Sequence, residues 1–209
     1  MYTFSQEYSR PWYRALQFHL YLLIYCKAYT QAFHLANQHL TGKAYRHLAQ
    51  DLKIRFRLIQ AHLKWLEEMG EFGHLDVQLK APRLLRRLPE ISRDKEGFNI
   101  PFLTIQALLA LSRRKWLDLE KRMGELDAYA DKYLRRKAGL KRAYLFIKSI
   151  SILKSGNRHP IYFKRHSQNY YEQLQACTRA IARQNSELEI IPYERIYELV
   201  LQKLEAENR

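Results

Sequence analysis

The 209-residue chain is predicted to be all-α, antiparallel helical hairpins stacked side by side as a short solenoid of about eight to ten helices. Three observations predict this. Apolar residues recur at steps of three and four through most of the chain, and no alternating stretch or Asn-Gly turn marks a strand or β-hairpin. Glycine and proline are scarce, 7 and 6 residues, so few positions break a helix. One hairpin layout also occurs twice. Residues 20–40, LYLLIYCKAYTQAFHLANQHL, give an apolar helix, a short polar break and a second striped helix. Residues 107–127, ALLALSRRKWLDLEKRMGELD, repeat it, with Trp116 standing where Tyr29 stands and Leu119 where Ala32 stands. A recurring helical pair is the sequence sign of a repeat scaffold, in which each pair buries its apolar face against its neighbours.

The first helix is expected to start at Ser9, with Pro11 in its first turn, where a missing N–H costs nothing. Leu16, Leu20 and Leu23 form one apolar face and Phe18, Leu22 and Tyr25 an adjacent one, which predicts a helix packed between neighbours. A break near Lys27 to Thr30 leads to a second helix carrying Ala32, Phe33, Ala36 and Leu40, ended by Thr41-Gly42. A short helix is expected over Lys43 to Gln50. Across 51–69, Leu52, Phe56, Ile59, Leu63 and Leu66 form one stripe, with Leu58 and Trp65 beside it, and Gly70 stops the helix.

Residues 71–100 form an irregular segment: a brief extended piece at Asp76-Val77-Gln78-Leu79, a short basic helix from Pro82 to Leu88, and a loop over SRDKEGFN. The segment separates an N-terminal hairpin region, 1–70, from a C-terminal repeat region, 101–209, as a domain junction or as an insertion within one continuous domain. Asn99 and Pro101 open the next helix, whose apolar face is Ile105, Leu108, Leu109 and Leu111. The helix after it carries Leu119, Met123, Leu126, Ala130 and Tyr133 inward and breaks at Ala138-Gly139. Another, with Leu140, Tyr144, Ile147 and Ile150, ends at Ser155-Gly156-Asn157. Residues 162–183 follow, striped by Phe163, Tyr170, Leu174, Cys177 and Ile181. The last helix, Pro192 to Glu205, turns Ile196, Tyr197, Val200, Leu201 and Leu204 inward.

The hydrophobic share of 47% describes a folded chain. Its most apolar window, Ala15 to Cys26, is too short to span a membrane and contains Gln17 and His19. The N-terminus lacks a basic stretch followed by an uninterrupted apolar run, so no secretory signal is expected, and a cytoplasmic protein is predicted. Cys26 and Cys177 sit in apolar stripes without CxxC spacing, which predicts buried free thiols in a reducing compartment. The net charge of +15 is uneven: +5 over residues 1–70, +9 over 71–157 and +1 over 158–209.

The hairpins resemble tetratricopeptide-type repeats. Tyr29 and Ala32 match that family's aromatic near the turn followed by a small residue three positions on; Trp116 matches the aromatic, while Leu119 departs from the small residue. Neither hairpin carries the family's early Gly or closing Pro. A longer similarity covers DKEGFNIPFLTIQALLALSRRKWLDLEKRMGELDAYADKYL, LKRAYLFIKSI, LEIIPYERIYELVLQKL and AHLKWLEEMG, which look like the C-terminal part of uncharacterised bacterial tetratricopeptide-like proteins. That resemblance implies an α-helical repeat fold and no assigned activity. Known members extend further at the N-terminus, so the chain reads as a shortened member or a fragment.

Catalytic and metal chemistry find no residues to attach to. The 8 histidines form no HExxH, and His34 and His39, five apart, fall on different helix faces. No GxSxG, Walker or GxGxxG sequence is present, and neither cysteine stands beside a base. The expectation is therefore a non-enzymatic protein without cofactor or metal. The basic residues offer more. Arg113, Arg114 and Lys115 lie at the turn of the second hairpin, and Arg135, Arg136, Lys137, Lys141 and Arg142 surround a helix break followed by Tyr144 and Phe146. Gathered in space they would form a phosphate-binding patch; scattered, they are solvated helix faces. The leading expectation is a scaffold binding a protein or peptide on the first helix of each pair, around Arg10 to Tyr25 and Thr104 to Lys115. The alternative is a nucleic-acid-binding module using the basic middle third.

Overall fold

The computed structural model describes residues 9–40, 43–73, 99–177 and 189–208; these are helices joined by turns, and no strand occurs among them. No helix among the described residues is long and apolar enough to cross a membrane. The expectations for Thr41-Gly42, for the extended piece, basic helix and loop between 74 and 98, and for Ile181 lie outside the described residues. The chain divides into two compact units, Met1–Glu90 and Ile91–Arg209.

The first unit contains α1 (Arg10–Tyr25), α2 (Tyr29–His39), the one-turn α3 (Lys43–Arg46) and α4 (Gln50–Glu68). Ser9 caps α1 as its spacing from Pro11 predicts, its hydroxyl oxygen accepting from the Trp12 N–H at 3.4 Å. The α4 stripe Leu52, Phe56, Ile59, Leu63 and Leu66 is buried together with Leu58 and Trp65. Around it α1 and α2 close the core, with Tyr13, Leu16, Leu20 and Ile24 turned inward and the Tyr13 ring meeting Phe56 edge-on at 5.8 Å. The second apolar face of α1 departs from expectation: Phe18 and Leu22 are 60% and 64% exposed. α2 and α4 pack against α1, and the covered side is the one carrying Leu16 and Leu20. Cys26 is likewise exposed rather than core, because α1 ends at Tyr25 and the chain turns before the stripe can continue.

The second unit contains α5 (Asn99–Ser112), α6 (Trp116–Tyr129), α7 (Lys141–Ile150), α8 (Pro160–Ala176) and α9 (Tyr193–Glu207). Each packs against the next, and α9 also against α7. Leu119, Met123 and Leu126 of α6 and Ala130 just after it are buried as the period predicts, but Tyr133 is 46% exposed and Leu134 takes the inward position. A π-helical turn over Ala130–Leu134 is the reason: one extra residue in the turn rotates the apolar face by one position. α7 continues through a 3-10 turn, Ser151–Ser155, to Gly156. α8 stops at Ala176, so Cys177 is half-buried at its C-cap rather than core. In place of a continuous apolar stripe, α8 buries Ser167 between Phe163 and Leu174. The Tyr197 hydroxyl donates to Ser167 Oγ at 2.8 Å, whose own hydrogen goes to the Phe163 carbonyl at 2.7 Å.

Among the described residues, positive φ occurs at Lys27 (58°), Gly70 (80°), Arg114 (55°) and Gly156 (74°), 43, 44 and 42 positions apart. Each ends a helix. The first three share one hydrogen-bond pattern. Lys27 N–H donates to Ile24 O and Ala28 N–H to Leu23 O; Gly70 and Glu71 do so to Glu67 and Leu66, and Arg114 and Lys115 to Leu111 and Ala110. This is the Schellman closure, in which a left-handed residue lets two orphaned carbonyls be satisfied. Two positions beyond the left-handed residue stands an aromatic each time: Tyr29, Phe72 and Trp116.

Candidate functional site

The sequence-predicted cations fall into three environments, all in the second unit. Arg113, Arg114 and Lys115 form the turn between α5 and α6, where the left-handed Arg114 sends its guanidinium to Glu207 of α9 at 3.0 Å. That carboxylate also takes Lys203 at 3.3 Å. At the same end of the unit, Arg158 lies over the Trp116 ring, 4.6 Å from its centroid, and bonds Glu120 at 3.2 Å. Asn208 donates to the Arg158 carbonyl at 3.4 Å, so the α5–α6 turn, the start of α8 and the end of α9 meet. At this joint Glu207 holds Arg114 and Lys203, and Glu120 holds Arg158. Neither Arg158 nor its carboxylate partner is marked by the basic runs of the sequence, and Trp116, which receives Arg158, stands in the sequence as a hairpin aromatic.

Arg142 is the second environment and departs most from a surface cation. Its side chain is 8% exposed. The guanidinium bonds Glu189 at 2.9 Å and Glu194 at 3.1 Å, and donates to the Leu174 and Cys177 carbonyls at 3.2 and 3.0 Å. Burial opposes the charge, but the two carboxylates overcome it and raise the Arg142 pKa further above its ordinary value. Arg142 therefore ties the end of α8 to the start of α9, where Glu189 also accepts from the Tyr193 N–H at 3.0 Å. A guanidinium so enclosed is structural, and no phosphate reaches it.

The third environment holds Arg135, Arg136 and Lys137, which follow the π turn, and Lys141, the first residue of α7. All four are exposed, and among the described residues none has a carboxylate partner. Tyr133 stands beside them with Lys132 Nζ 5.0 Å over its ring and the Tyr129 ring 5.0 Å away. The structure does not bring this group together with Arg113–Lys115. The intervening α6 and π turn separate Arg114 from Arg135 by about 30 Å at 1.5 Å per residue.

The remaining polar cluster is internal. Asp127, on the buried side of α6, accepts from Lys148 at 2.6 Å, from Lys154, and from Ser151 at 3.2 Å. Burial alone would raise the carboxyl's pKa; the two ammonium groups instead hold it below the ordinary range. Among the described residues no group of three or more His, Cys, Asp or Glu is placed to hold a metal ion.

α5 also differs from the expected partner-binding face. From Thr104 to Leu111 all residues but Gln106 are buried, because a nearly uniformly apolar helix has no polar side to give to solvent. Of the two stretches expected to face a partner, Arg10 to Tyr25 retains an open apolar surface. No family model matches the chain, and neither a curated protein nor a solved structure matches it.

Proposed function

We propose that this chain is a non-catalytic helical-hairpin repeat scaffold that binds a protein or peptide along the outer face of α1. The repeat reading is supported by the left-handed helix ends at intervals of 42 to 44 residues. That interval is longer than the tetratricopeptide period of about 34 residues and falls among the roughly 40–47 of other helical repeats. The family likeness then rests on the close Tyr29–Ala32 pairing, both buried, rather than on repeat length.

The observation that carries the binding reading is the pair Phe18 and Leu22, more than half exposed and one turn apart. Pro11, Ala15 and Cys26 extend the same side of the helix, and all three are exposed. Exposed large apolar side chains in a row cost solvation unless a partner covers them, and anchors at this spacing suit an apolar helix or strand laid across them. Exposed Arg10, Arg14 and Lys27 border the strip, so the partner's flanks should be acidic.

Selection from a displayed peptide library on the full chain tests this. Enriched peptides should carry two apolar anchors with acidic flanks. The double variant Phe18→Ser, Leu22→Ser should weaken them more than tenfold in calorimetry without moving the thermal midpoint. No enrichment, or enriched peptides indifferent to that variant, overturns the proposal.

A further inference from the structure

We propose that the knuckle Lys132–Lys141 binds single-stranded nucleic acid, its cations taking backbone phosphates while Tyr133 stacks on an unpaired base. The segment KYLRRKAGLK places Lys132, Arg135, Arg136, Lys137 and Lys141 within ten residues and includes no acid. Most described cations elsewhere in this unit are matched, and those without a carboxylate partner, Lys115, Lys121, Lys164 and Arg165, do not gather into a run of this length. Arg114, Arg122, Arg142, Lys148, Lys154, Arg158, Arg195 and Lys203 all have carboxylate partners. Arg135, Arg136, Lys137 and Lys141 have none among the described residues. The acid nearest in sequence, Asp131, is engaged by Lys148 at 3.3 Å. A solvated knuckle of one sign therefore remains, and its counterions are released when phosphates replace them.

The aromatic selects among anionic partners. The π turn that draws Leu134 inward leaves Tyr133 46% exposed, and the Tyr129 ring and Lys132 ammonium hold it at the edge of the cationic surface. An exposed ring among unpaired cations is the combination that single-stranded nucleic acid uses, stacking being open to any base and absent from a closed duplex. The apolar side chains of the segment, Leu134 and Leu140, are buried, so the knuckle has nothing to insert into a bilayer. The site lies in the second unit, apart from the α1 strip in sequence, and does not depend on that reading.

Fluorescence anisotropy on the full chain, with labelled 15-nucleotide oligouridylate and oligodeoxyuridylate, reads this directly. With three to four phosphates neutralised, log Kd against log salt should have a slope of about 2 to 3, so affinity drops some tens-fold between 50 and 200 mM NaCl. Neutralising Arg135, Arg136 and Lys137 to Gln should weaken binding more than tenfold and flatten the slope. Tyr133→Ala should cost about tenfold. The triple variant at Arg113, Arg114 and Lys115 removes the same charge and should change affinity less than twofold. Comparing the two oligomers shows whether a 2′-hydroxyl contributes; tight binding of either supports the site. Equal losses from the two triple variants would assign binding to overall charge and overturn it. So would absence of binding at 50 mM salt, or equally tight, Arg135-dependent binding to phosphatidylserine vesicles or polyglutamate. Circular dichroism confirms that the exposed substitutions leave the helices intact.

Discussion

At the scale of single residues, His62 shows how burial sets a titration. It lies on α4 with 2% exposure, and its Nδ1–H donates to the Leu58 carbonyl at 2.8 Å. Burial pushes its pKa down to about 4, against the small upward pull of that hydrogen bond. The unfolded chain, with an ordinary imidazole near 6.5, takes up the proton first. Stability is therefore intact above pH 6.5 and is lost as pH falls toward 4. The loss from this residue should reach about 2.5 kcal/mol at pH 4.5. Urea titrations of the wild type and of His62→Phe at pH 7.5 and 4.5 measure it. The variant should lose less stability on acidification by that amount; parallel losses would place the acid sensitivity elsewhere.

At the scale of elements, two of the four left-handed helix ends sit on glycine, at Gly70 and Gly156, and two on lysine and arginine, at Lys27 and Arg114. A side chain in that conformation costs roughly 1–2 kcal/mol. Lys27→Gly should therefore stabilise the chain by about 0.5–1 kcal/mol, the glycine's extra freedom when unfolded offsetting part of the relief. Gly70→Ala should destabilise it by about 1 kcal/mol for the same reason reversed. A thermal melt of each variant decides; a drop for Lys27→Gly would mean that its side chain has contacts worth more than the strain. These positions also show what was legible in the chain. Gly70 announced its helix end and Gly156 another, but Lys27 and Arg114 look like ordinary polar breaks, so the recurrence of 42 to 44 residues was invisible at every second mark. Helical periodicity found the α4 stripe and the Ser9 cap because both depend on residues close in sequence. It placed Phe18, Leu22 and Tyr133 wrongly because periodicity says which residues share a face, not whether a neighbour covers that face, and it does not foresee a π turn. Arg142 was read with its basic neighbours since its partners, Glu189 and Glu194, lie some fifty residues away.

At the scale of the molecule, the net charge of +15 opposes the compact state through self-repulsion. Salt acts on this and on the ion pairs together, so the sign of its effect depends on which is more screened. The pairs worth most are buried: Arg142 with Glu189 and Glu194, and Lys148 with Asp127, their side chains 8 to 16% exposed. Ions reach these poorly, so they persist at high salt. The exposed pairs, such as Arg10–Asp51 and Arg122–Glu125, contribute at most about 1 kcal/mol each, so screening them loses little. Repulsion among solvent-facing cations such as Arg135, Arg136, Lys137 and Lys141 is the contribution that salt reaches most easily. The balance favours stabilisation. Raising NaCl from 20 to 300 mM should raise the thermal midpoint by roughly 2–5 °C, the equivalent of about 1 kcal/mol or slightly more for a chain of this length. Differential scanning calorimetry at the two salt concentrations checks the sign. The variant Arg135→Gln, Arg136→Gln, Lys137→Gln should start from a higher midpoint at 20 mM and gain less on adding salt, because the repulsion being screened is already reduced. A midpoint that fell with salt in the wild type would mean that the ion pairs, rather than the unpaired cations, govern its electrostatics.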